Sequence, residues 1–215
     1  MTYLEAINSV LRRLREDQVD TALESDYSAL IGDFVNDANR IVENSWNWSG
    51  LRETTVIPTV NGTSEYSLTG SGQDAVIKGV VNDTANRFMN LETKAYFNNV
   101  YYNQGVVSSA PVSYMVMGVD SNDDLKVKVY PQPDGIYSLR FDLAKPLGLM
   151  SADATKIKVP FNPVVQMAFA MALRERGETG GQSAAEQLAI ASTALSDCIA
   201  IDANRYPDET MFMVV

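Results

Sequence analysis

The sequence predicts an α+β protein, with an antiparallel helical layer made from both chain ends and an antiparallel β-sandwich or small barrel inserted between them. Three observations support this. Residues 3–16 and 28–44 carry the three- and four-residue apolar spacing of amphipathic helices, and residues 163–204 return to it. Residues 52–144 read instead as short strands between turns. The composition is that of a folded chain, with 46% hydrophobic and 20% charged residues in 215, enough to bury a substantial core. The expected division is a helical domain from 1–50 and 155–215, including a C-terminal tail, and a β-domain from 51–154.

The first helix starts from a capping-box pair, Thr2 with Glu5 three residues on. Leu4, Ile7, Leu11 and Leu14 follow on one stripe that Val10 widens, while Arg12, Arg13, Arg15 and Glu16 take the other side. A polar stretch from Asp17 to Ser25 ends it. The second helix begins near Ser25 or Ser28, with Leu30, Phe34, Ala38, Ile41 and Val42 expected inward. Trp46 and Trp48 flank Asn47 at its exit and are expected to anchor one layer on another, since each carries large apolar area.

In the middle, Asn61-Gly62 between Thr54–Ile57 and Tyr66–Leu68 is a hairpin signal. Strands are expected at 76–81, 87–91, 112–117, 125–130 and 137–143, the last with Tyr137, Leu139, Phe141 and Leu143 alternating with polar neighbours. Residues 94–103 read as a short helix carrying Ala95, Tyr96, Phe97, Val100 and Tyr101. Further on, Asn162-Pro163 marks a helix start with proline at its first position. An unusually apolar helix then runs to near Gly177. Ser183 with Glu186 opens a last, alanine-rich helix to about Asn204, and alanine favours helix intrinsically.

Composition removes several kinds of chemistry. The chain has no histidine, the commonest general base and metal ligand, and its one cysteine, Cys198, sits on a helical pattern as a packing thiol. The net charge of −10 argues against sequence-independent adhesion to nucleic-acid phosphates. Asp120, Asn122 and Asp124 start a calcium-loop pattern that fails at Leu125 and Pro131, leaving a solvated turn. Gly181-Gln182-Ser183 lacks the lysine of a phosphate loop. No apolar run approaches the ~20 residues a bilayer-spanning helix needs, and the N-terminus lacks the order of a secretion signal. The expectation is a protein made and folded in a cytoplasm, with no membrane partner. No catalytic, cofactor-binding or metal-ligating residue is predicted.

What remains is contact chemistry. Arg12, Arg13 and Arg15 interrupt an acidic protein, either as a solvated helix face or as a cationic contact to an acidic neighbour. Met211, Phe212, Met213, Val214 and Val215 form an apolar tail that either folds back or adds to another subunit. Tyr101 and Tyr102, in an aromatic stretch at 96–102, complete the candidate contact residues.

The opening Tyr3-Leu4-Glu5-Ala6-Ile7-Asn8-Ser9-Val10-Leu11-Arg12-Arg13-Leu14 resembles the start of the tail tubular protein A family, head-to-tail adaptors of short-tailed bacteriophages. Trp46-Asn47-Trp48 before a Glu-Thr-rich strand, Ala110-Pro111-Val112-Ser113-Tyr114 and Tyr130-Pro131-Gln132-Pro133-Asp134-Gly135 extend the resemblance across the chain. It departs at Arg15-Glu16-Asp17-Gln18-Val19, where the family often carries Gly-Glu-x-Pro-Val. The resemblance implies a non-enzymatic virion protein, assembled in the host cytoplasm into a ring, twelve-fold in known relatives. That ring would join the portal protein to the tail nozzle protein. The helical layer would face the portal and border a channel that DNA crosses without specific binding; the β-domain would splay toward the tail. An acidic ring fits such passage. Ring closure also needs a heterologous, head-to-tail interface, for which the small-residue face of 184–203 and the aromatics of 96–102 are candidates. Two other readings stay open: a carbohydrate-binding module using Tyr101, Tyr102 and Tyr114 as stacking platforms, and a glycan hydrolase using scattered carboxylates.

Overall fold

Among the described residues, five α-helices and eight strands follow one another in an order set by local sequence signals. The computed structural model describes residues 1–177 and 182–205. In chain order the elements are α1 (Tyr3–Arg13), α2 (Asp26–Ser45), β1 (Arg52–Pro58), β2 (Glu65–Ser67), β3 (Val76–Asn82), β4 (Arg87–Phe88), β5 (Asn90–Leu91), α3 (Lys94–Asn98), β6 (Ser113–Val119), β7 (Leu125–Tyr130), β8 (Ser138–Ala144), α4 (Phe161–Glu175) and α5 (Gln182–Ala203). They form two units, Met1–Leu51 with Leu147–Val215, and Arg52–Pro146. The fold is α+β, with two four-stranded sheets.

In the helical unit, α1 opens on a complete capping box: Thr2 N donates to Glu5 Oε2 at 2.8 Å and Glu5 N donates to Thr2 Oγ1 at 3.2 Å. Its inner face is Tyr3, Ala6, Ile7, Val10 and Leu11. The helix stops at Arg13, with Arg15 in the left-handed region at φ 60° turning the chain. Ser25 caps α2.

The inward stripe of α2 corrects the sequence expectation. Ile31, Val35, Ala38 and Val42 are buried, whereas Ile41 is exposed and Leu30 and Phe34 are half-buried. The cause is polar. Asn36, Asn39 and Glu43 share the buried side, and two of them bind the returning chain: Asn36 Oδ1 accepts from Met150 N at 2.9 Å, Asn36 Nδ2 donates to Met150 O at 3.1 Å, and Glu43 Oε1 accepts from Leu147 N at 3.1 Å. Residues 147–150 are thereby clamped to α2, so the chain re-enters the helical unit at Leu147 rather than near residue 155. Gly32 is required here, since a Cβ would meet the Tyr3 hydroxyl.

Trp48 is 1% exposed and its indole donates to Val42 O at 2.6 Å, so it anchors α2's exit within this unit. Trp46 is 40% exposed and does not share that role. On α4, Pro163 occupies the third position rather than the first, harmlessly, because first-turn N–H groups have no helical partner. Gly177, at φ 65°, follows its C-cap. Packing around Ile7, Leu11, Val35, Val42, Val164 and Ala168 makes the core.

The second unit is a sandwich of sheets ordered β1-β8-β3-β4 and β2-β7-β6-β5. Its core joins Val80, Leu139, Phe141 and Leu143 of one sheet to Tyr114, Val127 and Val129 of the other, with T-shaped packing of Tyr114 on Phe141. The alternation in β8 places Leu139, Phe141 and Leu143 inward as the sequence predicts.

Two sequence expectations fail in this sandwich. Asn61-Gly62 does turn the chain, with Gly62 at φ 76°, but β1 pairs with β8 and β2 with β7, so the turn crosses between sheets instead of closing a hairpin. The strand expected at 87–91 splits at buried Met89, sending β4 to one sheet and β5 to the other. Pairing is antiparallel except for β5 with β6.

Candidate functional site

The arginines at the end of α1 are exposed and adjacent. Among the described residues Arg12, Arg13 and Arg15 make no ion pair. Partial burial, then repulsion from Arg12, pushes the Arg13 guanidinium below its usual value, although it remains charged. Their neighbour Glu16 is not available to neutralise them. It pairs with Arg176, whose Nε donates to Tyr27 Oη at 2.7 Å and whose Nη1 donates to Leu14 O at 3.4 Å. That hub ties the ends of α1 and α4 to the start of α2, and the three arginines project beyond it as an unneutralised cationic group.

The last helix is the opposite case. Ala184, Ala191 and Asp202 are its buried positions, with Leu195, Cys198 and Ile199 partly covered. Leu188, Ile190 and Ile201 are 49%, 54% and 58% exposed. Ser183–Ala203 is long and apolar enough, by length and composition alone, to cross a membrane. This corrects the expectation that no such run exists: short alanines and serines hid its length, while Glu186, Asp197 and Asp202 interrupt it. At its end, Asp202 accepts from Ser49 N at 3.0 Å, Ser49 Oγ at 2.6 Å and Arg205 Nη1 at 3.3 Å. This clamp fixes the last described turn before the tail. The Cys198 thiol is pushed up by burial and by Asp197, which favours the packing role over reactivity. Met211, Phe212, Met213, Val214 and Val215, like the glycines of 180–181, lie outside the described residues.

The aromatic stretch divides. Phe97 and Val100 are buried, and Tyr96, Phe97, Tyr101 and Tyr130 form one cluster of edge-on and stacked rings around Met115. The Tyr101 hydroxyl donates to Val129 O at 2.7 Å, and burial pushes its pKa up. Half-buried Tyr101 therefore takes part in the sandwich's own packing, while Tyr102, on a π-helical turn over Asn99–Asn103, is 79% exposed. Of the three tyrosines considered as sugar-stacking platforms, Tyr114 is buried, Tyr101 half-buried and Tyr102 exposed.

Sequence reasoning missed a rigid apolar tip on the sandwich. Gln132 joins three loops: its N donates to Val107 O at 3.0 Å, its O accepts from Ser109 N at 3.0 Å, and its side chain donates to Gly62 O. Thr59 Oγ1 adds bonds to Gly135 O at 2.9 Å and from Tyr137 N at 2.8 Å. Val60, Val107 and Ile136 stand exposed on these loops. The signal was the proline-bracketed glutamine, Pro131-Gln132-Pro133, which marks a turn but not what the turn binds.

The buried carboxylates serve the fold. Glu43, Asp124 and Asp202 each accept backbone N–H groups; Asp124 takes Gly70 N and Gly72 N at 2.9 and 3.0 Å. Burial raises the Glu43 pKa, against lowering by the Leu147 N–H, Asn39 and Lys158. Asp120 accepts from Asn122 N and Asp124 N, closing the turn that resembled a calcium loop. Among the described residues no three acidic or cysteine side chains gather as a metal site.

A search of curated proteins finds no match to the chain. The family model described as SU10 adaptor protein matches residues 1–210. That match covers nearly the whole chain, and the chain belongs to the SU10 adaptor protein family, structural adaptors of bacteriophages.

Proposed function

We propose that this protein is the head-to-tail connector of a phage virion: a ring of identical subunits, twelve by the resemblance, seated between the portal and the tail nozzle. The single observation that carries the reading is the family match across residues 1–210. Its mechanism is positional, not catalytic. The helical unit meets the portal and borders the channel, and the sandwich reaches toward the nozzle. Assembly takes place in the host cytoplasm, and the mature protein resides in the virion.

The net charge of −10 per subunit supports passage of DNA without adhesion, since like charge repels the phosphates within a Debye length, about 8 Å at physiological ionic strength. Arg12, Arg13 and Arg15 supply a cationic contact to the portal or to a neighbouring subunit, and Tyr102 supplies an exposed aromatic one. The tail Met211–Val215 follows the Asp202 clamp and is the leading apolar contact with the portal.

Native mass spectrometry of the protein alone and mixed with the portal ring of the same virus tests the reading. A discrete multi-copy complex on the portal is the expected result and counts the subunits. A monomer that ignores the portal overturns it. Deleting residues 208–215 is expected to abolish portal binding with the fold retained, and unchanged binding removes the tail from the contact.

A further inference from the structure

We infer that the outer face of α5 in one copy packs against the arginine-bearing end of α1 in the next, head to tail; this rests on the ring reading and names the contact that would close it. Three observations carry it, all within the helical unit.

The first is placement. α4 packs against α1, α2 and α5, and α5 finds its substantial helix packing on α4 alone. The layer therefore has α5 at one flank and α1 at another, with no substantial packing between them. Among the described residues, part of the surface of each is left without a packing partner.

The second is the character of the α5 face. Ser192 Oγ, Thr193 Oγ1 and Ser196 Oγ, all exposed, donate to the carbonyls of Leu188, Ala189 and Ser192 at 3.0, 3.1 and 3.1 Å. Hydroxyls turned onto their own helix leave a small, locally satisfied surface that a second helix can approach closely. Exposed Leu188, Ile190 and Ile201 lie on the same helix and supply apolar area to cover.

The third is charge. The exposed ionised groups of α5 are Glu186 and Asp197, and among the described residues neither has an ion-pair partner. The α1 end carries Arg12, Arg13 and Arg15, equally unneutralised. An α5-to-α5 contact sets acid against acid, and an α1-to-α1 contact sets arginine against arginine. Only the heterologous pairing joins opposite signs, and a heterologous pairing is what a closed ring requires. Charge also decides against a bilayer as the occupant, because insertion would bury Glu186 and Asp197 without partners.

The test is cross-linking of the assembled protein. In a Cys198→Ser background, one chain carries both Arg13→Cys and Asp197→Cys, is assembled on the portal ring and is treated with a short bismaleimide. Head-to-tail contact gives a ladder extending beyond the dimer, and Asp197→Cys alone gives none. A multi-copy complex on the portal without a ladder overturns this contact and leaves the ring reading standing; absence of any multi-copy complex of the wild-type protein on the portal overturns both. Cross-linking that stops at the dimer overturns the head-to-tail arrangement. Charge exchange is the second arm. Glu186→Arg with Asp197→Arg, and separately Arg12→Glu with Arg13→Glu, each weaken assembly by more than about tenfold, and the four changes together restore it. Failure of the combined variant to recover overturns the pairing. Flotation of the wild-type chain with zwitterionic lipid vesicles assigns the α5 face to a bilayer and overturns the proposal.

Discussion

α2 and α5 are the two longest helices, 20 and 22 residues, and they distribute polarity in opposite ways. α2 buries Asn36, Asn39 and Glu43 and leaves Ile41 in solvent. α5 leaves Leu188, Ile190 and Ile201 in solvent and, near its end, buries Asp202. Composition would have reversed the two. The difference shows that a helix face is inward when a specific partner saturates it. For Asn36 and Glu43 of α2 that partner is the backbone of residues 147–150, while the buried Asn39 Oδ1 has no hydrogen-bond partner; for Asp202 it is the Ser49 turn. The outer face of α5 has no such partner within the described residues, which is how a subunit surface differs from a core.

Removing α2's partner chemistry breaks the comparison with the largest expected effect. Asn36→Ala strips both hydrogen bonds from the backbone of Met150, which is buried. The expected loss is about 2–4 kcal/mol, from two buried groups left unsatisfied. Urea unfolding of the helical unit measures it. A loss below about 1 kcal/mol would mean that water re-satisfies the Met150 backbone and that the clamp is not structural. The corresponding change in the sandwich is smaller. Tyr101→Phe removes the hydroxyl's bonds to Val129 O and with the Ser64 side chain and keeps the ring packing of the cluster, so about 1–2 kcal/mol is expected. Tyr102→Ala, one residue on and exposed, is expected within about 0.5 kcal/mol of wild type.

These clamps also mark where the sequence stopped being legible. Helix positions, the β insertion and the inward alternation of Leu139, Phe141 and Leu143 follow from local periodicity, and periodicity is visible in one chain. The inward side of α2 was read one step out of phase because Asn36, Asn39 and Glu43 look like a solvent face until residues 147–150, more than a hundred positions away, are laid on them. The split at Met89 and the crossing turn at Asn61-Gly62 are choices of sheet partner, which no local signal encodes. On the surface, the arginines were readable as a group, but their lack of neutralisation was not, since it depends on Arg176 engaging Glu16. Tyr101 and Tyr102 are adjacent in sequence and differ only in which side of a helical turn they occupy.

Glu43 sharpens the comparison through pH. Burial raises its pKa above the ordinary glutamate range, so the folded state holds this proton more tightly than the unfolded chain. Between the two pKa values the folded state binds more protons, and stability therefore rises as pH falls through the raised value toward the ordinary range. At neutral pH the ionised carboxylate is a cost offset in part by the Leu147 N–H. Glu43→Gln keeps an acceptor for that N–H and removes the buried charge. The variant is expected to unfold at a slightly higher temperature than wild type at neutral pH, with the gap closing as pH is lowered toward the ordinary glutamate range. A gap that is constant with pH would show that the carboxylate is not the source.

The smallest effect on folding belongs to α5, and its size is the point. Leu188→Gln with Ile201→Gln replaces half-exposed apolar side chains by polar ones of similar length on a helix that keeps its packing against α4. Since neither side chain is buried in the subunit, the unfolding midpoint is expected to move by no more than about 0.5 kcal/mol per change. The same change in α2, Val35→Gln with Val42→Gln, inserts polar groups into a saturated core and is expected to unfold the helical unit. Subunit stability and subunit assembly then separate. If the α5 face is covered by a second copy, the variant loses multi-copy complexes on the portal in native mass spectra while its monomer melts as before. A variant that melts several degrees lower would place Leu188 and Ile201 in the subunit's own core, and α5 would differ from α2 only in composition.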